Sequence, residues 1–216
     1  MKNIRVWFSK TGPSRYISHL DLMRCMTRAV RRAQLPLWYT QGFNSRVYMT
    51  FALPLSLGVS GLRESMDLRL KGEMDGEEIK NCVNRVLPPD IQVLEVTEPK
   101  MKPGAIAFAS YRMRIAEEDP EELAGQIQKL FAREPLLVEK KSKHGVLQMN
   151  LHPELDHTEV AAEAKTVQID AVLPAGSNFN LNPALLLDCI KKNLNIEITA
   201  EIIRTNLYDE SMKPFE

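Results

Sequence analysis

Apolar and polar residues alternate from the start of the chain, with Ile4, Val6 and Phe8 interleaved by Arg5, Trp7 and Ser9. That period of two predicts a strand with one buried face. Lys10-Thr11-Gly12-Pro13 breaks it, and Ser18-His19-Leu20-Asp21 then has the spacing of a capping box, with Ser18 accepting from the Asp21 amide. A helix is expected over residues 19–34. Leu20, Met23, Thr27 and Val30, with Met26 and Ala33 as further candidates, form its expected apolar stripe. Arg24, Arg28, Arg31 and Arg32 recur at spacings of three and four on another side.

After the turn-rich Gln41-Gly42-Phe43-Asn44, residues 46–52 alternate Val47, Met49 and Phe51 with Arg46, Tyr48 and Thr50, and a further strand is expected over 65–71. Asp75-Gly76 opens a helix carrying Ile79, Cys82, Val83 and Val86, which Pro88-Pro89 stops before a strand over 91–96. The order β-α-β-β-α-β is that of the ferredoxin-like split unit. Residues 99–104, with two prolines, a glycine and two lysines, read as a linker. Beyond it the order nearly repeats: a strand over 107–116, a helix from Asp119-Pro120, a hairpin over 136–151 around His144-Gly145, a strand over 167–173, a helix from Asn182-Pro183 and a closing strand over 198–207. The expected fold is α+β, with two tandem ferredoxin-like (βαββαβ) halves. They occupy residues 1–98 and 105–216, the second with an extra or displaced strand.

Charge changes this picture from fold to function. The chain of 216 residues is neutral overall, yet its first 50 hold nine lysines and arginines against the single carboxylate of Asp21. Such asymmetry argues for one localised anion-binding surface, with nucleic acid or a phosphorylated ligand as the leading candidate. The competing explanation is that these arginines pair with the acidic remainder. A hydrophobic content of 44% is ordinary for globular protein, and no apolar run reaches the roughly 18 residues a membrane span needs. The opening residues also lack the apolar core of a signal peptide, so a cytoplasmic location is expected. Cys25, Cys82 and Cys189 are scattered, which excludes a locally encoded iron–sulfur or zinc cluster and a disulfide scaffold. No cofactor or metal is expected. His152 and His157 match no metal-ligand spacing and read as a surface loop.

The candidate ligand-binding residues are Lys10, Arg15, Tyr16, His19, Gln41, Asn44 and Arg46, with Arg24, Arg28, Arg31 and Arg32 as contacts for RNA phosphates. The loop from Lys10 to Arg15 leads towards a helix N-terminus, where free amides favour an anion, although it lacks the Walker spacing. His19 at that helix start is the one candidate general base. Trp7 and Tyr48, beside Arg5 and Arg46, would suit base stacking on an open sheet face, unless that face is covered. His19, Arg15, Gln41 and Asn44 are expected to converge on one pocket, against the plain topology of the unit.

The long segment from Phe8 to Arg24, together with Tyr39-Thr40-Gln41-Gly42-Phe43-Asn44 and Ser56-Leu57-Gly58-Val59, resembles an uncharacterised radical-SAM-associated (radical-SAM-linked) bacterial domain family. Ser45-Arg46-Val47 departs from a P-x-P stretch in that family. The resemblance implies a radical SAM protein as partner and RNA modification or processing as context. This chain lacks the cysteines to be that catalyst. The leading expectation is an RNA-binding or substrate-presenting accessory module acting with a radical SAM enzyme. The alternatives are a metal-independent endoribonuclease with His19 as base, of which Ala175-Gly176-Ser177 is a faint echo, and a protein-interaction domain docking an acidic partner.

Overall fold

The computed structural model describes residues 1–142, 145–176 and 179–216, without the side chains of residues 140–142, 146 and 147. His144 at the expected hairpin turn, and Ser177 of Ala175-Gly176-Ser177, lie outside the described residues. The fold is mixed α+β, with four α-helices among the described residues. The chain divides into two compact units, one of Met1–Ile106 with Lys213–Glu216 and the other of Ala107–Met212.

The first unit runs β1 (Lys2–Lys10), α1 (His19–Arg32), β2 (Met49–Phe51), β3 (Val59–Leu70), α2 (Gly76–Asn84) and β4 (Ile91–Thr97). Its strands lie in the order β4-β1-β3-β2, and each neighbouring pair is antiparallel. The pairings Ile4↔Leu68 and Val6↔Met66 put apolar side chains on one sheet face, while Arg5↔Asp67 and Trp7↔Ser65 put polar ones on the other. Both helices pack on the apolar face. Met26 and Val30 of α1, Ile79 and Val83 of α2, and Leu68 and Leu70 of β3 are at most 1% exposed there. Full burial of each such side chain contributes on the order of 1.5–3 kcal/mol.

The start of α1 follows from its cap: the Asp21 amide donates to Ser18 Oγ at 3.1 Å, and the Ser18 hydroxyl donates to the Asp21 carboxylate at 2.7 Å. Its buried stripe differs from the expected one. Leu22, Met26, Ala29 and Val30 are buried, whereas Leu20 and Met23 are 60% and 37% exposed. Both sets recur at spacings of three, four and seven, so periodicity alone does not choose between faces about a quarter-turn apart. The longer apolar series on the inner face, packed against β1 and β3, decides it.

The second sheet face is closed by the C-terminal residues of the chain. Arg5 is fully buried, donates from Nε and Nη2 to the two Asp67 carboxylate oxygens at 2.7 and 2.9 Å, and donates from Nη2 to the Met101 carbonyl at 2.8 Å. The Phe215 ring lies 4.3 Å from its guanidinium carbon. Trp7 is 2% exposed, donates to Thr97 Oγ1 and meets Phe215 edge-on. Trp7 is therefore a core residue, and the aromatic face expected to stack bases is covered. Tyr48 instead packs edge-on against Trp38.

The second unit runs β5 (Phe108–Ala116), α3 (Pro120–Phe131), β6 (Leu137–Ser142), β7 (Gly145–Asn150), β8 (Thr158–Glu163), β9 (Thr166–Pro174), α4 (Ala184–Leu194) and β10 (Ala200–Tyr208). Four strands form an antiparallel series β10-β5-β9-β8, while β6 and β7 pair separately. The surplus relative to the first unit is thus a whole hairpin between α3 and β8. The sequence reading counted the hairpin and missed β8. That strand is mostly exposed and lacks a clear apolar alternation, so the signal that marks half-buried strands is absent.

Candidate nucleic-acid interface

The two ends of α1 are chemically opposite. At its start, Ser18 caps the Asp21 amide and the Asp21 carboxylate stands at the positive end of the helix dipole. The preceding turn is a 3-10 helix, Gly12–Tyr16, whose Thr11 amide donates to the Asp90 carbonyl at 2.9 Å. Gly12 has φ +50°, and a Cβ there would lie 3.2 Å from the Asp90 carboxyl carbon, so a carboxylate stands beside this turn. Lys10 is 1% exposed, with Nζ 3.2 Å from the Ile17 carbonyl and 3.4 Å from that of Arg15. A phosphate at this turn would meet the Asp90 carboxylate and a lysine turned inward. Arg15 lies over the Tyr16 ring at 4.9 Å, and Tyr16 is largely exposed.

His19 is half-buried beside this turn, edge-on to Phe51 at 5.2 Å. Its Nδ1 is buried without a hydrogen-bond partner. Burial first, and the nearby Lys10 charge second, hold its pKa below the ordinary 6.5, so the neutral imidazole is favoured. A buried orphan N–H is costlier than an orphan lone pair, which puts the proton on Nε2. His19 is thus held in its neutral form, with the Nδ1 side of the ring turned inward. Because the folded pKa lies below the unfolded one, the unfolded chain binds the extra proton, and stability rises with pH up to about 6.5. His19→Gln is expected to flatten this dependence in urea unfolding curves between pH 5 and 7.5; an unchanged slope would contradict the assignment.

Two contacts lay α1 alongside β2, the His19 ring on Phe51 and Thr27 Oγ1 3.9 Å from Met49 Sδ. A third, the Arg31 guanidinium 5.6 Å over the Tyr39 ring, joins the far end of the helix to the 39–47 segment. From His19 to Arg31 the helix rises about 18 Å. His19 and Arg15 thus lie at the start of α1, while Tyr39, at the foot of the segment that carries Gln41 and Asn44, meets α1 near its end.

The 39–47 segment is a closed hairpin. Tyr39 bridges Val47, the Thr40 amide donates to the Arg46 carbonyl at 2.8 Å, and the Arg46 amide donates to Thr40 Oγ1 at 3.0 Å. Its base is held by the Trp38 amide, which donates to the Arg69 carbonyl, and by the Arg69 guanidinium, which lies 4.9 and 4.4 Å over the Trp38 and Tyr48 rings. Beyond that base, residues 41–46 are all exposed, and Phe43 is completely so at 109%.

Ion pairing narrows the cationic surface. Lys2 pairs with Glu98, Arg5 with Asp67, and Arg24 with Asp21 at 2.9 Å. Arg28, Arg31, Arg32 and Arg46 are exposed, and among the described residues none of them is in an ion pair. Arg31 and Arg32 in the last turn complement the helix dipole, a contribution of about 0.3–1 kcal/mol each that asks nothing of Arg28 or Arg46. The unneutralised charge of the first 50 residues therefore gathers at the C-terminal half of α1 and its adjoining hairpin. Phe43 and Tyr39 complete this surface. Sequence reasoning missed both as candidates, although an aromatic between Gly42 and Asn44 was the available signal.

Among the described residues no group of three or more His, Cys, Asp or Glu side chains could hold a metal ion, and the cysteines are free. Nor is any described helix long and apolar enough to cross a membrane.

The fold is similar to a chain in the crystal structure of a Cbf5-Nop10-Gar1 complex, with TM-score 0.51 and 13% identity over 95% of this chain. This protein spans 50% of that chain's length. An unknown protein from Galdieria sulphuraria is similar at 10% identity over 93% of this chain and 98% of its own, with TM-score 0.27. A putative glycine cleavage system transcriptional repressor is similar at 11% identity over 94% of this chain and 98% of its own, with TM-score 0.23. No curated protein matches the sequence. The profile of a family described as uncharacterised and conserved in bacteria, DUF2344, matches residues 3–183, and the chain belongs to that family.

Proposed function

We propose that the first unit binds RNA along the C-terminal half of α1 and the 39–47 hairpin, and that the protein presents this RNA to a radical SAM enzyme. The observation that carries the RNA reading is a set of four exposed arginines in no ion pair among the described residues, Arg28, Arg31 and Arg32 on the C-terminal half of α1 and Arg46 in the hairpin whose Tyr39 meets Arg31. Gln41 and Asn44 supply amides beside them, able both to donate and to accept. The radical SAM partner rests on the resemblance of the segments around Lys10 to Arg24 and Tyr39 to Asn44. Each unit is read as ferredoxin-like, on the support of the strand orders β4-β1-β3-β2 and β10-β5-β9-β8. In this reading the first sheet is a scaffold for the helix and hairpin, because its second face is occupied by Phe215.

The test is fluorescence anisotropy with a labelled 20-nucleotide single strand of mixed sequence, in EDTA, from 50 to 300 mM salt. Four phosphate contacts are expected to give a log–log slope near about −3, since each contributes roughly 0.7 on a single strand. The RNA is expected to be recovered intact. Absent or salt-independent binding would contradict the proposal. Capture of polyglutamate in place of RNA would favour the acidic-partner reading, and cleavage lost in His19→Ala would favour the nuclease.

A further inference from the structure

We infer that Phe43 is a base-stacking tip, which makes the RNA ligand one with an unpaired nucleotide at the 39–47 hairpin; this rests on the RNA reading above. Phe43 has its whole ring in solvent, at 109% exposure. Single exposed apolar residues are ordinary, so exposure by itself decides nothing. Its surroundings do. The residues around it, Gln41, Gly42, Asn44, Ser45 and Arg46, are all exposed and none is apolar, so the tip offers no hydrophobic patch to a protein partner. Instead it offers a single π-face beside the ion-pair-free Arg46, above a base where Arg31 meets Tyr39. One aromatic face with neighbouring cations is complementary to a nucleobase and its phosphates.

The hairpin can hold such a tip in place. Its two stems are closed by the Thr40 amide donating to the Arg46 carbonyl and the Arg46 amide donating to Thr40 Oγ1, and its base is clamped by Arg69 on Trp38 and Tyr48. Gly42, at φ +117°, has nothing within 4 Å of where a Cβ would stand, so the approach beside Phe43 is open. Stacking needs a free base face. In a duplex both faces of each internal base are already covered, whereas loops, bulges and single strands expose theirs. Gln41 and Asn44 flank the stacked base and can pair with its edge.

The experiment compares wild type, Phe43→Ala and Phe43→Trp on a 20-nucleotide single strand and on a blunt duplex of the same length, with thermal melts as the folding control. Phe43→Ala is expected to weaken single-strand binding about tenfold, to leave the salt slope unchanged and to leave duplex binding unaltered. Phe43→Trp is expected to restore single-strand affinity, with indole fluorescence quenched on binding. Equal single-strand affinity of wild type and Phe43→Ala would overturn the stacking tip and leave the arginine surface standing. An equal loss on single strand and duplex would likewise overturn it. Failure of the wild type to bind either RNA would instead remove the RNA reading, and the stacking tip with it.

Discussion

Replacing Arg28, Arg31 and Arg46 together by alanine is expected to weaken single-stranded RNA binding about a hundredfold at 0.1 M salt. The magnitude follows from counterion release: three lost phosphate contacts remove about 2.1 from the log–log salt slope, which is about two decades of affinity between 0.1 and 1 M. Folding is expected to persist, because all three side chains are exposed and none is in an ion pair among the described residues. Arg24→Ala provides the contrast. Its guanidinium is already neutralised by Asp21, so its loss should cost far less. Anisotropy over a salt series measures both, and an unchanged slope in the triple variant would contradict the assignment of these arginines to RNA.

Asp67→Ala is expected to destabilise the first unit by about 3–5 kcal/mol, because it strands a buried charge. The Arg5 side chain is 0% exposed and that of Asp67 18%, and Asp67 takes two of the three hydrogen bonds that Arg5 donates. Arg5 Nη1 already lacks a hydrogen-bond partner, so the guanidinium would keep the Met101 carbonyl and the Phe215 and Trp7 rings, none of them an anion. The double replacement Arg5→Met with Asp67→Ala removes the charge along with its partner and is expected to recover most of the loss. Urea unfolding of the three variants measures this. A change below about 1 kcal/mol in Asp67→Ala would show that water reaches the guanidinium.

Much of the first unit was legible because its elements carry strong local signals. Ile4, Val6 and Phe8 alternate, Ser18 and Asp75 cap their helices, and Ile79 and Val83 mark the inner face of α2. The apolar stripe of α1 was misassigned because Leu20 and Met23 have the same periodicity as the residues that are buried. β8 was missed for the converse reason: an exposed edge strand has no buried face to print a period on the sequence. The fate of Trp7 was illegible locally, since its cover, Phe215, lies some two hundred residues away in sequence. The charge count pointed to the N-terminal region, yet could not tell Lys10 and Arg5, which are buried, from Arg28 and Arg46, which are not. That distinction moved the candidate surface from the start of α1 to its end.

The surface is tested most directly by a nuclear magnetic resonance titration of the labelled protein with the 20-nucleotide single strand, following backbone amides and arginine Nε–Hε groups together. Shifts are expected at Arg28, Arg31, Arg32 and Arg46 and at the amides of residues 41–46, with His19 and the 10–15 loop unmoved. Shifts centred on His19 and Arg15, or confined to residues 107–212, would contradict it.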